Sequence, residues 1–155
     1  MREEEKSSQV IQKRVQRVQA DIIGNEALGG DALDESGASE LLSFGLKSAE
    51  GIVSTTEGMD DETAELSIAD RLKALRKLLR HLGRLLGEGL DMDADGRLWL
   101  WNSVQTQARS LYGDHLEFPD VDIVMERLVQ GESPGQIITS LRSLFESQSD
   151  GQRGN

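Results

Sequence analysis

An all-α bundle of five or six helices is the fold this sequence predicts, and three observations predict it. Apolar residues recur three and four positions apart through most of the chain, as one buried helix face requires. No segment alternates apolar and polar residues as a half-buried strand would, and there is no internal repeat. Ten of the sixteen glycines gather in three spacers, Gly24 to Gly37, Gly83 to Gly96 and Gly151 to Gly154, with only two prolines in the whole chain. A chain of 155 residues can bury a real core as one domain. Aromatic residues make up 4% of it, so aliphatic helix packing has to supply most of the burial.

The first helix is expected over Glu3 to Ile23, where Ile11, Val15, Val18 and Ile22 form one thin apolar stripe and Gly24 stops it. Such a stripe suits a bundle edge or a coiled-coil seam. Asn25 to Ala38 reads as a mobile Gly- and Asp-rich linker. A second helix follows, capped by Ser39 and running to Val53, with Leu42, Leu46, Ala49 and Val53 on one face. Gly45 and Gly51 either weaken that helix or admit another one closely.

The third helix starts near Asp60 with acidic residues in its first turn, where the helix dipole favours them. Ile68, Leu72, Leu75, Leu79, Leu82 and Leu86 keep a heptad-like spacing, widened on one side by Leu78 and Leu85. A fourth helix is expected from Gly96 to Tyr112 through Leu98, Trp101, Val104, Ala108 and Leu111. A short fifth helix spans Asp120 to Gln130 with Val121, Val124, Met125 and Leu128. Ser133 before Pro134 is a hydroxyl cap followed by proline at the first helical position, and the sixth helix runs from there to Ser147. The chain is thus expected to form a compact bundle over residues 60–147. A loosely attached N-terminal helical region over 1–59 precedes it, and a polar tail over 148–155 follows.

Charge is distributed unevenly. The net charge is −11, which disfavours wholesale nucleic-acid binding because phosphate contacts need a positive surface. Yet Asp70 to Arg84 holds six Lys or Arg against one Asp, a local +5 that leaves −16 for the rest. At 100° per residue, Lys73, Arg76, Lys77, Arg80 and Arg84 collect opposite the leucine stripe. A basic amphipathic helix can bind an acidic protein, nucleic acid or an anionic membrane, or be neutralised within its own chain. The leucine seam lacks the Trp or Phe that often anchors interfacial helices.

Asp91-Met92-Asp93-Ala94-Asp95-Gly96 is the one run that looks like metal chemistry, because hard cations take several oxygens around a tight turn. It resembles the calcium loop of the EF-hand family over residues 91–102. The resemblance implies a calcium or magnesium site with carboxylates from Asp91, Asp93 and Asp95 and the backbone carbonyl of Arg97. Asn102 stands where the family has a Glu that binds through both oxygens. An amide offers one neutral oxygen, so the implied site is weak. EF-hands usually work in pairs, and no second loop of this kind occurs. The same run also suits a helix connector in which Asp95 caps the following helix.

Other signals point away from catalysis. There is no cysteine, hence no disulfide, thiolate metal site or cysteine nucleophile. His81 and His115 lack metal-ligand spacing, no glycine-rich phosphate loop follows a strand, and the serines have no identifiable base. Gly131-Glu132-Ser133 between two helices looks like the scaffold of bacterial helix-turn-helix regulators. Asp120, Asp122, Glu126, Glu132 and Glu146 give that segment the wrong sign for DNA, and a capped helical hairpin is the better reading. Trp99 and Trp101 point about 200° apart on one helix, so Trp99 is a candidate interface residue while Trp101 joins the core.

No apolar run follows Met1, and no stretch approaches the ~20 apolar residues of a membrane span. A cytoplasmic location is expected. The expected function is non-enzymatic: a helical interaction or adaptor protein, regulatory and tuned by the weak cation site. It would bind a protein partner through Arg76, Lys77, Arg80, Arg84 and Trp99, or self-associate through its heptad-patterned helices. The competing class is a nucleic-acid-associated regulator or phage-type accessory factor acting through the basic helix 71–84.

Overall fold

The long helix α3 (Asp61–Glu88) contributes more buried residues to the core than any other described helix. The computed structural model describes residues 2–23 and 33–153, all-α throughout, with no strand among them. Ahead of α3 lie α1 (Arg2–Ile23) and α2 (Glu35–Ser54). A 3-10 turn over Gly89–Asp91 then leads to α4 (Ala94–Tyr112), α5 (Val121–Val129) and α6 (Pro134–Arg153). The Asp60 carboxylate caps α3 by accepting the Thr63 N–H at 2.7 Å. Ile68, Leu72, Leu75, Leu78, Leu79, Leu82, Leu85 and Leu86 are all buried, so the expected leucine face is the core face. No described helix is long and apolar enough to cross a membrane.

The N-terminal region is built into that core rather than loosely attached. Val18, Ile22, Leu41 and Phe44 belong to the same buried cluster as the leucines of α3. The boundary expected at residue 59 therefore does not divide the core. The reason is Gly45: a Cβ placed there would lie 2.9 Å from Leu79 Cδ1 and 3.2 Å from Ile22 Cγ2. Only the missing side chain lets α2 sit between α1 and α3. Arg14 and Arg17 of α1 then pair with Asp61 and Glu65 at the start of α3, Arg17 reaching Glu65 at 2.7 Å.

Helix α2 begins five residues earlier than the Ser39 cap implied. Asp34 caps it instead, its carboxylate accepting the Gly37 N–H at 2.7 Å. Residues 25–32 of the expected linker lie outside the described residues, while 35–38 are helical. The buried face of α2 is Leu41, Phe44, Gly45, Ala49, Ile52 and Val53; Ala49 and Val53 of the expected face are buried, whereas Leu42 and Leu46 are only half-buried. In α4 the core face is centred between Leu100 and Trp101. Leu98 lies about 100° away from that centre and is half-exposed, and Leu100 is buried in its place.

Five of the six aromatic side chains meet in one place. Phe145 of α6 meets Phe44 of α2, Tyr112 of α4 and Phe118 of the loop after α4, at centroid distances of 6.3, 5.6 and 5.4 Å. Phe118 in turn meets Trp101, whose indole N–H donates to the Pro119 carbonyl at 3.0 Å. All three phenylalanines thus join α2, α4 and α6 at one end of the core.

The α5–α6 hairpin forms as its sequence implied. Ser133 Oγ accepts the Gln136 N–H at 3.2 Å and Gln136 Oε1 accepts the Ser133 N–H at 2.9 Å, a reciprocal capping box. Gly131 closes α5 with φ at 99°, letting the Glu132 N–H return to the Arg127 carbonyl at 3.0 Å. Helix α6 continues to Arg153, so residues 148–153 are helical rather than a loose tail. Gln148 explains the extension: its side chain accepts the Glu117 N–H at 2.8 Å and donates to the Glu117 carbonyl at 2.9 Å.

Candidate functional site

The acidic run comes first because its geometry departs furthest from the resemblance. Asp91 closes the 3-10 turn, Met92 is extended, and α4 begins at Ala94. The Asp93 carboxylate accepts the Gly96 N–H at 2.7 Å and caps α4, the role that Asp95 was expected to fill. Asp95, Gly96, Arg97 and Asn102 all lie inside α4. Gly96 is helical and does not make the sharp turn that a cation loop needs. The Arg97 guanidinium donates to the Met92 carbonyl at 2.8 Å and to the Gly89 carbonyl at 3.2 Å, placing a positive charge on the connector. The residues expected as metal ligands are therefore not brought together. Among the described residues no three His, Asp or Glu side chains are grouped to hold a metal ion.

The basic helix face keeps most of its expected members. Lys73, Lys77, Arg80 and Arg84 follow one another at four, three and four residues and form a single exposed ridge. At 1.5 Å per residue it is about 16 Å long. Arg84 pairs with Glu88 one turn on, at 3.5 Å; Lys73, Lys77 and Arg80 make no ion pair among the described residues. Arg76 is diverted from the ridge. It leans toward Asp21 of α1 at 3.9 Å, and its Nε is buried without a hydrogen-bond partner.

Trp99 lies beside this ridge and is 61% exposed, the largest exposed apolar side chain described. Its ring contacts His81 of α3 edge-on, centroids 5.2 Å apart. Trp99 and Arg84 also share a shallow cleft with Met92, Gly96 and Leu100. A second cleft further along α3 has Lys73 and Lys77 on one side and Gln107 and Ser110 of α4 on the other. Lys73, Lys77, Arg80 and Arg84 thus share one exposed face of α3 with Trp99 of α4 beside it, and Arg76 turns away from it toward α1.

His81 reports the electrostatics of that face. Burial holds its pKa below the ordinary value for histidine, and the neighbouring charges of Arg80, Lys77 and Arg84 push the same way. The His81 Nδ1 also lies 2.6 Å from Ser103 Oγ, so one serine does meet an imidazole, a pairing that residue spacing does not reveal. Ser103 sits mid-helix, where neighbouring backbone N–H groups are engaged within α4, and among the described residues no carboxylate bonds to His81. A nucleophile–base pair needs an orienting group and oxyanion donors as well. Spacing could have flagged His81, which lies four residues after Lys77 and next to Arg80 on the same side of α3.

No family model, curated protein or solved structure matches this chain.

Proposed function

We propose that this protein is a non-enzymatic helical interaction module that docks an acidic segment of a protein partner on the α3–α4 face. The observation that carries the reading is the ridge of Lys73, Lys77, Arg80 and Arg84 beside the exposed ring of Trp99. Four cations in one line steer and orient an acidic chain, and an exposed indole supplies the buried anchor that binding energy concentrates on. The two clefts between α3 and α4 offer places for side chains of an extended or helical partner. A net charge of −11 repels a polyphosphate as a whole, which favours a protein partner over nucleic acid.

The test uses a synthetic helical peptide rich in Glu with leucines on one face, against a DNA duplex of equal charge. Binding is followed through Trp emission at low and moderate salt. The peptide should bind more tightly, and Lys77→Glu with Arg80→Glu should remove its binding while leaving the fold intact. Trp99→Ala should weaken binding without changing its salt dependence. Tighter binding of the duplex would transfer the ridge to a nucleic-acid role, and binding of neither would end the proposal. Arg76 is avoided in this test because its contact with α1 ties it to folding.

A further inference from the structure

A cavity of about 270 Å³ opens where α2, α3, α4 and α6 converge, away from the ridge. Lys47 enters it from α2, Arg71 from α3 and Glu146 from α6. Neither Lys47 nor Arg71 makes an ion pair among the described residues, whereas Glu146 is 3.8 Å from Arg142 on its own helix. The Tyr112 hydroxyl and Ser48 Oγ lie 2.9 Å apart in the same wall. Ile52 and Leu111 supply its apolar part. Burial raises the Tyr112 pKa, and Glu146 adds to that, so its hydroxyl keeps its proton and can donate it.

We propose that this cavity binds a small organic monocarboxylate that carries a hydroxyl or ammonium group. The guanidinium fork of Arg71 matches a carboxylate through two parallel hydrogen bonds, and Lys47 adds a point charge beside it. Three formal charges, two positive and one negative, favour a ligand with a single negative charge. Glu146 repels a second carboxylate but accepts a hydrogen bond from a hydroxyl or ammonium group. The volume lies just below the range of about 300–1,000 Å³ usual for ligand pockets, so the ligand has few heavy atoms. Junctions between bundle helices are a common place for such sites.

The probe is 3-hydroxybutyrate, titrated into the isotope-labelled full chain and followed by amide and tyrosine-ring NMR signals, with sodium chloride at matched ionic strength as control. Saturable shifts are expected at Ser48, Gly51, Ile52 and the Tyr112 ring, and not at Lys73, Lys77 or Arg80. Lys47→Met should weaken binding by tenfold or more. Succinate, a dianion of similar size, should bind more weakly, and Glu146→Gln should narrow that difference. Gly51→Leu is the second variant: a Cβ there meets nothing within 4 Å, so a side chain fills open space at the cavity rim and blocks entry without disturbing the core. The proposal fails if the shifts do not saturate in the millimolar range, if they appear equally on the ridge, or if Lys47→Met and Gly51→Leu bind as the parent does. The ridge plays no part in this site, so either proposal can fail without the other.

Discussion

Gly45→Ala and Gly51→Ala are the same substitution six residues apart in one helix, and the structure gives them opposite signs. Replacing a helix-interior glycine by alanine gains up to about 1 kcal/mol from the backbone alone. At Gly51 a new Cβ meets nothing within 4 Å, so most of that gain should appear, about 0.5–1 kcal/mol near the helix end. At Gly45 the new Cβ would lie 2.9 Å from Leu79 Cδ1 and 3.2 Å from Ile22 Cγ2. Leu79 and Ile22 are fully buried and have little room to turn away. Forcing an extra carbon into a packed core costs about 1–3 kcal/mol, which outweighs the propensity gain and leaves a net loss of about 0–2 kcal/mol. The two variants should therefore differ by about 2 kcal/mol, or roughly 4–8 °C in Tm for a domain of this size. Thermal and urea unfolding followed by far-ultraviolet circular dichroism reads both. Equal stabilisation by the two alanines would refute the close approach of α2 to α1 and α3. A cycle with Leu79→Val should reduce the Gly45→Ala penalty, since the shortened side chain makes room.

Two further outcomes follow from the site. Asp93→Ala removes the α4 cap and should cost about 1 kcal/mol, equally with calcium and with a chelator; a calcium-dependent loss in urea unfolding would revive the cation loop. His81 has its folded pKa held below the ordinary 6.5, so the unfolded chain takes up its proton first as pH falls. Stability from this group is full above pH 6.5 and declines as pH drops below that value. Trp99 emission should titrate with the same group, since a protonated imidazole quenches the adjacent indole. Lys77→Glu with Arg80→Glu should raise that midpoint, and His81→Gln should abolish it. A midpoint above 6.5 in the parent would contradict the exposed positive ridge.

What the sequence made legible was what depends on one helix alone. The α3 leucines repeat without interruption and Asp60 stands where a cap belongs, so both the helix and its core face could be read directly. The α2 face could not, because Gly45 and Ser48 sit on its buried side and neither counts as apolar. Gly45 is there to admit Leu79, and Ser48 to meet the Tyr112 hydroxyl, and both partners belong to other helices. The same limit applies to the acidic run. Alternating carboxylates before a glycine suit either a ligand loop or a capped helix, and the choice rests on the backbone at Gly96, which is helical. The ridge was legible from spacing, except for Arg76, whose direction depends on where α1 brings Asp21. Tyr112, Lys47 and Arg71 carried no signal as a group, since they come from three different helices.

A positive ridge persists on a chain of net charge −11 because the carboxylates with fixed partners are engaged elsewhere. Asp34, Asp60 and Asp93 cap three helices, and Glu132 pairs with Arg127 in the α5–α6 turn. Asp61 and Glu65, the acidic start of α3, face Arg14 and Arg17 of α1 instead of the basic segment two turns further on. Near the ridge lie Asp21 and Glu88, which meet Arg76 and Arg84, and Asp70, which lines a cleft with Lys73 and Lys77 without forming an ion pair with them. Lys73, Lys77 and Arg80 consequently contribute a field and no ion pair to the folded state. Exposed charges without partners add little to stability, so reversing Lys77 and Arg80 should leave unfolding nearly unchanged while altering what the face attracts. Removing Arg14 acts differently: it frees Asp61 at the head of α3, leaves Glu65 to Arg17 alone, and loosens α1, with Ile22 and the contact over Gly45, from the core. Folding and the proposed recognition thus rest on different cations of the same chain.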